Sequence, residues 1–243
     1  MTRMKRAALA LSLAALPSLA PAADLSEEEI KQLVYEAIME RPEIIMQAVE
    51  KLRSSEAAAQ DAAVQNALED NRDMLERDAN APVLGNPEGD VTVVEFFDYN
   101  CPYCRRAMPH VQGLLEADEN VRVVYREWPI LGEGSVFAAR AALAARNQGK
   151  YEEFHWALMG MEGRAGEATV MRAAQEVGLD TEQLRRDMEA PEVEAHIAAS
   201  MRLAGALGFN GTPSFVVGGN LVPGLAEQSR LQQLVDQTRS AAE

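Results

Sequence analysis

Cys101-Pro102-Tyr103-Cys104 holds the only two cysteines of the chain and sits where two hydrophobic rhythms meet. Before it, Val91-Thr-Val-Val-Glu-Phe-Phe-Asp98 is rich in β-branched and aromatic residues, the profile of a buried strand. After it, Cys104, Ala107, Met108, Val111, Leu114 and Leu115 recur at helical spacing. Cys101 therefore falls at a strand-to-helix junction, and Pro102 takes the first helical position, where no backbone donor is required. Free N–H groups and the positive end of the helix dipole favour a thiolate at Cys101. Cys104, one turn further in, is expected to be more buried and to act as the resolving thiol.

Two cysteines this close make a poor staple. A disulfide stabilises mainly by closing a long loop of the unfolded chain, and this one encloses two residues. Across i, i+3 it is also strained and reducible. The pair reads as reactive chemistry rather than reinforcement.

Composition sets the outer limits. The chain has 243 residues, 47% of them hydrophobic, enough for one core of moderate size plus an appendage. A net charge of −15 makes nucleic acid and anionic membrane surfaces poor partners. Arg3, Lys5 and Arg6 precede the apolar run Ala7 to Leu16, and Ala20-Pro21-Ala22 supplies small residues at a cleavage site. Residues 1–22 thus read as a secretory signal peptide. The expected location is an oxidising, extracytoplasmic compartment, the periplasm.

A helical stretch follows. Ser26 and Glu29 form a capping box, and Ile30, Leu33, Val34, Ala37 and Ile38 make one apolar stripe. Arg41-Pro42 breaks that helix, and Ile45, Val49 and Leu52 continue an apolar face on the next. Two short amphipathic helices cannot cover these faces themselves, so self-association is expected. The stretch after Ser54 reads as a polar helical spacer, which assigns residues 23–81 to an N-terminal oligomerisation segment.

Beyond the cysteines, Val121 to Arg126 reads as a strand. Helices are expected over Ser135–Gln148, Tyr151–Met159, Glu167–Val177, Thr181–Met188 and Pro191–Leu207. Thr212-Pro213 precedes a short β-run, Ser214 to Val217, with a Gly218-Gly219 hairpin turn into Asn220–Val222 and a closing helix, Ala226 to Thr238. Strand alternation puts Glu95 on one face with Val93 and Phe97, where a carboxylate is costly unless neutral or paired. His110, His155 and His196 read as packing or surface residues, and no His or further Cys spacing supports a zinc site. The methionines of Met159–Met171 read as core packing rather than a copper site.

The string Glu95-Phe-Phe-Asp-Tyr-Asn-Cys-Pro-Tyr-Cys104, paired with Thr212-Pro-Ser-Phe-Val-Val-Gly-Gly219, resembles the DsbA family of secreted thiol–disulfide oxidoreductases. It is most similar to the suppressor-of-copper-sensitivity C (ScsC-like) branch, which carries an N-terminal helical extension. The resemblance implies an α/β thioredoxin fold over 82–243 with an inserted helical domain at about 133–208, preceded by the all-helical extension. It implies that Pro213 is cis and faces the cysteines, and that the backbone of Thr212 receives a substrate strand, with Pro102 and Tyr103 also at the substrate-binding surface. It implies that Glu95 relays a proton to Cys104, completing a catalytic set of Cys101, Cys104 and Glu95. Asp98 and Tyr99 are expected to line the approach to Cys101. No metal or organic cofactor is expected beyond the redox-active Cys101–Cys104 disulfide. The expected partners are cysteine-containing protein substrates, a membrane thiol-redox partner, and further copies of the chain through the N-terminal helices. Tyr103, where oxidases of the family often have histidine, and Thr212 point toward isomerase or reductase action. The alternatives are a disulfide-introducing oxidase and a copper(I)-handling protein using the same two thiolates.

Overall fold

The structure, a computed structural model, describes residues 25–242, so the expected leader at 1–22 lies outside the described residues. The chain divides into two compact units, Met1–Glu56 and Ala57–Glu243.

In the first unit, α1 (Glu27–Glu40) starts at Ser26 with the expected capping box. The Glu29 N–H donates to Ser26 Oγ at 3.3 Å, and the Ser26 N–H donates to Glu29 Oε2 at 2.9 Å. Pro42 cannot continue α1, and α2 (Glu43–Asp70) begins directly after it and runs across the unit boundary. No residue of α1 is buried. Ile30, Leu33, Val34, Ile45, Met46 and Leu52 are all about half exposed or more.

The second unit is built on a five-stranded sheet ordered β1-β3-β2-β4-β5. β2 (Val91–Phe97) lies at its centre, parallel to β3 (Val121–Glu127) and antiparallel to β4 (Ser214–Val217). Parallel neighbours need a crossover, and α4 (Pro102–Ala117) supplies it. β1 (Val83–Gly85) pairs with the outer side of β3, and β5 (Asn220–Pro223) closes a hairpin with β4. At that hairpin Gly218 has φ 57°, and a Cβ there would press on Thr238. Between β3 and β4 run α5 (Glu133–Ala145), a short 3₁₀ turn, α6 (Tyr151–Gly160), α7 (Glu167–Glu176), α8 (Thr181–Asp187) and α9 (Pro191–Ala206). α10 (Gln228–Ala242) ends the chain. This is a thioredoxin fold with a helical insertion.

Alternation along β2 separates two cores. Val93 and Phe97 face the larger one, with Cys104, Ala107 and Val111 of α4, Phe154 and Leu158 of α6, and Leu231 and Leu234 of α10. Val94 and Phe96 face the smaller one, with Val124, Leu203, Leu207 and Phe209.

The smaller core departs from the expected polar spacer. Val64 and Leu68 of α2, Leu75 of α3 (Arg72–Glu76) and Ala81 pack into it. Residues from Ala57 onward therefore belong to the unit built on the sheet rather than to a separate spacer. The physical reason is the wide spacing of Val64, Leu68 and Leu75, which is thin as an isolated helix face but sufficient to cover the back of a sheet. The turn after α3 is clamped as well: fully buried Arg126 of β3 donates to Asp78 Oδ2 at 2.7 Å.

Candidate functional site

Cys101 caps the N-terminus of α4, with Pro102 at its first position. Both cysteines are free thiols, and both are buried, Cys104 completely. The Cys101 thiol is lowered to about 6, first by a hydrogen bond from the Cys104 thiol and then, against its burial, by the Thr212 side chain and the backbone amides of Cys104 and Tyr103. Burial pushes the Cys104 thiol far up, and the neighbouring Cys101 and Glu95 push it the same way. The two sulfurs are thus strongly unequal. One is a thiolate at neutral pH, and the other holds its proton until something removes it.

Across from Cys101 lies the segment before β4. The Thr212–Pro213 peptide is cis, as expected. Cys101 Sγ lies 3.1 Å from the Thr212 carbonyl oxygen, to which the protonated thiol donates. Sequence positions 101 and 212 are thereby brought together, with Thr212 main chain directly at the reactive sulfur.

Glu95 lies in mid-β2, flanked in register by Tyr125 of β3 and Phe215 of β4, all on the cysteine side of the sheet. It is buried. Its carboxyl is raised to about 8, first by burial and second by the charge on Cys101. Among the described residues no cation pairs with it. A buried carboxyl of this kind can exchange a proton near neutral pH.

Pro102 and Tyr103 are exposed on the outer rim, with the Arg106 guanidinium 5.6 Å from the centre of the Tyr103 ring. Asp98 and Tyr99 do not line the approach to Cys101. Asp98 is buried and accepts the N–H groups of Asn100, Ile130 and Leu131. The Tyr99 side chain turns inward, because Glu127 and His155 offer partners there.

Sequence reasoning missed that inner cluster. Tyr99 and Tyr151 both donate to Glu127 Oε1 at 3.0 Å, and Tyr99 Oη lies 3.0 Å from His155 Nδ1. Burial raises the Glu127 carboxyl well above the usual range, against the two tyrosine hydrogen bonds. Burial also lowers His155 and His196 to about 3, so both are neutral packing residues. Arg105 was missed too. It donates to the carbonyls of Tyr99, Met161 and Gly163, fastening the loop after α6 to the active-site helix. Only an alternation argument on β3, placing Glu127 among Val123 and Tyr125, could have flagged the cluster. Among the described residues no group of three or more His, Cys, Asp or Glu side chains is placed to hold a metal.

A thiolate at a helix N-terminus, a second, buried thiol one turn on, a proton-holding carboxyl beneath them and a cis-proline loop opposite define a thioredoxin-fold thiol–disulfide oxidoreductase. A DSBA-like thioredoxin domain matches residues 92–236, and the chain belongs to that family. A copper resistance protein ScsC N-terminal domain matches residues 27–59, which sets the chain in the ScsC-like branch. A thioredoxin-like oxidoreductase of Silicibacter pomeroyi is 78% identical in sequence, covers 70% of this chain and 98% of its own, and superposes with a TM-score of 0.69. ScsC of Proteus mirabilis in a compact conformation is 27% identical, covers 89% of this chain and 100% of its own, and superposes with a TM-score of 0.68. A Na(+)/H(+) antiporter NhaA of Salinispora tropica is 35% identical over 139 residues, which are 56% of this chain. The chain spans only 21% of that antiporter's length.

Proposed function

We propose that this protein is an extracytoplasmic protein disulfide isomerase or reductase. The Cys101 thiolate attacks one sulfur of a substrate disulfide. The substrate S–S bond breaks, a mixed disulfide forms, and the departing substrate thiolate takes a proton from water. Cys104 then gives its proton to the Glu95 carboxylate and attacks Cys101 Sγ, releasing the second substrate thiolate. Two electrons have passed to the substrate, and Cys101–Cys104 is a disulfide. In isomerisation the first step reverses at a different substrate sulfur, and no net electrons are lost. Thr212 main chain beside Cys101 serves as the docking edge for the substrate strand, with Pro102 and Tyr103 on the rim.

The observation that carries the reading is the Cys101 sulfur at the N-terminus of α4, 3.1 Å from the Thr212 carbonyl of the facing loop, and the moderate lowering of its thiol supports the direction. The more a thiolate is stabilised, the more oxidising its disulfide. A value of about 6 lies nearer thioredoxin, about 7, than the strong oxidant DsbA, about 3.5. The half-exposed apolar residues of α1 and α2 support assembly of several copies, which suits holding a misbridged substrate among several nucleophiles. A dithiol kept reduced requires electrons from a membrane thiol-redox partner. Copper(I) carriage by the two thiolates leaves the Thr212-Pro213 loop without a purpose. The test is to acid-quench producing cells, alkylate free thiols with a bulky reagent and read the gel shift. A mostly reduced Cys101–Cys104 pair is expected, and a mostly oxidised one makes the protein a disulfide-introducing oxidase.

A further inference from the structure

The turn Asp98–Cys101 carries the attacking sulfur out of β2. It closes on itself through the Cys101 N–H, which donates to the Asp98 carbonyl at 3.0 Å, so Asn100 is the residue whose backbone aims Cys101. The Asn100 side chain reaches the helical insertion. Its Oδ1 accepts the Ala165 N–H at 2.7 Å. Its Nδ2 donates to the Ala165 carbonyl at 3.2 Å and to Ser135 Oγ at 3.0 Å. One amide thus pairs both backbone groups of a single residue, as a strand neighbour does. Asn100, Ser135 and Ala165 are all buried. The approach is close on the far side too, since a Cβ on Gly134 would collide with the Ala165 carbonyl oxygen. Ser135 opens the insertion, at the start of α5, and Ala165 lies between α6 and α7.

We propose that Asn100 is a positioning residue for exchange at Cys101, pinning the turn that carries the attacking sulfur to the Ala165 backbone of the helical insertion. This rests on the reading of Cys101 as the attacking thiolate. Asparagine suits the place because it offers an acceptor and two donors in one plane, and a smaller side chain leaves the buried N–H and C=O of Ala165 unpaired. The thiolate is held by short-range contacts: the Cys104 thiol, the Thr212 side chain and the amides of Tyr103 and Cys104. Such contacts weaken with small changes of distance and angle. Releasing the turn moves Sγ relative to all of them, so Asn100 acts on the sulfur without touching it. The insertion becomes part of the nucleophile's mounting rather than a separate lobe.

The experiment measures the rate of Cys101 alkylation by iodoacetamide against pH and the equilibrium with glutathione, for wild type, Asn100→Ala and Ser135→Ala. Wild type is expected to show a midpoint near pH 6. Asn100→Ala is expected to raise that midpoint by about one pH unit and to shift the glutathione equilibrium at pH 7 about fivefold toward the disulfide. Ser135→Ala removes one of the three hydrogen bonds and is expected to shift both readouts the same way by a smaller factor. If Asn100→Ala lowers the melting temperature but leaves midpoint and equilibrium unchanged, Asn100 is structural only and the proposal falls. If Asn100→Ala does not fold, Ser135→Ala decides, and no shift there overturns the proposal. A wild-type midpoint near that of a free thiol sinks the thiolate reading of Cys101 itself, a result distinct from failure of the variants.

Discussion

Replacing Glu95 by glutamine is expected to make the reduced protein more stable and less active, and the stability gain is expected to grow with pH. The folded carboxyl sits at about 8 and its ordinary value is 4.5. A raised value means that the folded state holds the proton more tightly, so unfolding is favoured wherever the unfolded carboxyl has already ionised. Wild-type stability from this group is complete below pH 4.5 and is lost as pH rises toward 8. The loss amounts to about 3 kcal/mol between pH 4 and pH 7, and levels off at about 5 kcal/mol above pH 8. Glutamine cannot ionise, and every other titrating group is common to both proteins. The difference in unfolding free energy should therefore widen by about 3 kcal/mol from pH 4 to pH 7, read by urea unfolding with reductant present. Release of a trapped mixed disulfide should meanwhile slow on the order of 10²-fold, because the proton of Cys104 has lost its acceptor. Parallel stability curves for the two proteins would refute the reasoning, since they would mean that folded Glu95 ionises like an exposed carboxyl.

Cys104→Ser is expected to accumulate a mixed disulfide between Cys101 and substrate, seen by non-reducing gel and mass spectrometry, whereas Cys101→Ser should accumulate none. Leu68→Ala in the full chain should cost about 2–4 kcal/mol of redox-unit stability, because that side chain is buried in the smaller core. Leu33→Ala, on exposed α1, should leave that unfolding transition in place and weaken self-association measured by sedimentation. Glu127→Gln keeps an acceptor oxygen for Tyr99 and Tyr151 and, because burial raises this carboxyl as it does that of Glu95, should gain stability over wild type as pH rises from 4 to 7, read by urea unfolding. Glu127→Ala strands two buried hydroxyls and should be about 2–4 kcal/mol less stable than Glu127→Gln. A Gln variant whose stability runs parallel to wild type across that pH range would show that folded Glu127 ionises like an exposed carboxyl.

The residues legible in the sequence were those whose chemistry is local. The strand-to-helix change around Cys101, Pro102 at the start of α4 and the face shared by Val93, Glu95 and Phe97 all follow from neighbours a few positions away. Thr212-Pro213 was legible only through family likeness, because nothing local distinguishes it from an ordinary turn. β1 escaped notice because three residues ending in glycine carry no alternation, and pairing with β3 alone makes them a strand. Asn100, Arg105 and Glu127 escaped for a different reason. Their partners Ala165, Met161 and Tyr151 lie 65, 56 and 24 positions away, so the need for an amide, a guanidinium or a carboxyl arises only when the insertion folds back. Residues 57–81 read as polar because three apolar side chains suffice where a sheet supplies the opposing surface.

Proton and electron holding at this site are linked through one constraint: the space beneath α4 tolerates one negative charge. The thiolate on Cys101 raises Glu95, and both charges raise Cys104. Between about pH 6 and pH 8 the reduced site therefore holds its charge at Cys101, with Glu95 and Cys104 protonated. Once a mixed disulfide or the Cys101–Cys104 bond forms, the charge on Cys101 is gone, and one of the two causes raising Glu95 goes with it. The carboxyl then gives up its proton more readily, and an ionised Glu95 is the form that can accept the proton of Cys104. In the proposed mechanism, attack by Cys101 thus prepares the base that the resolving step needs, and return to the dithiol lets Glu95 take its proton up again. An acid placed in the open would lack this coupling, because water would screen it from the sulfur. The burial that makes Glu95 costly for stability is the same burial that lets it respond to Cys101.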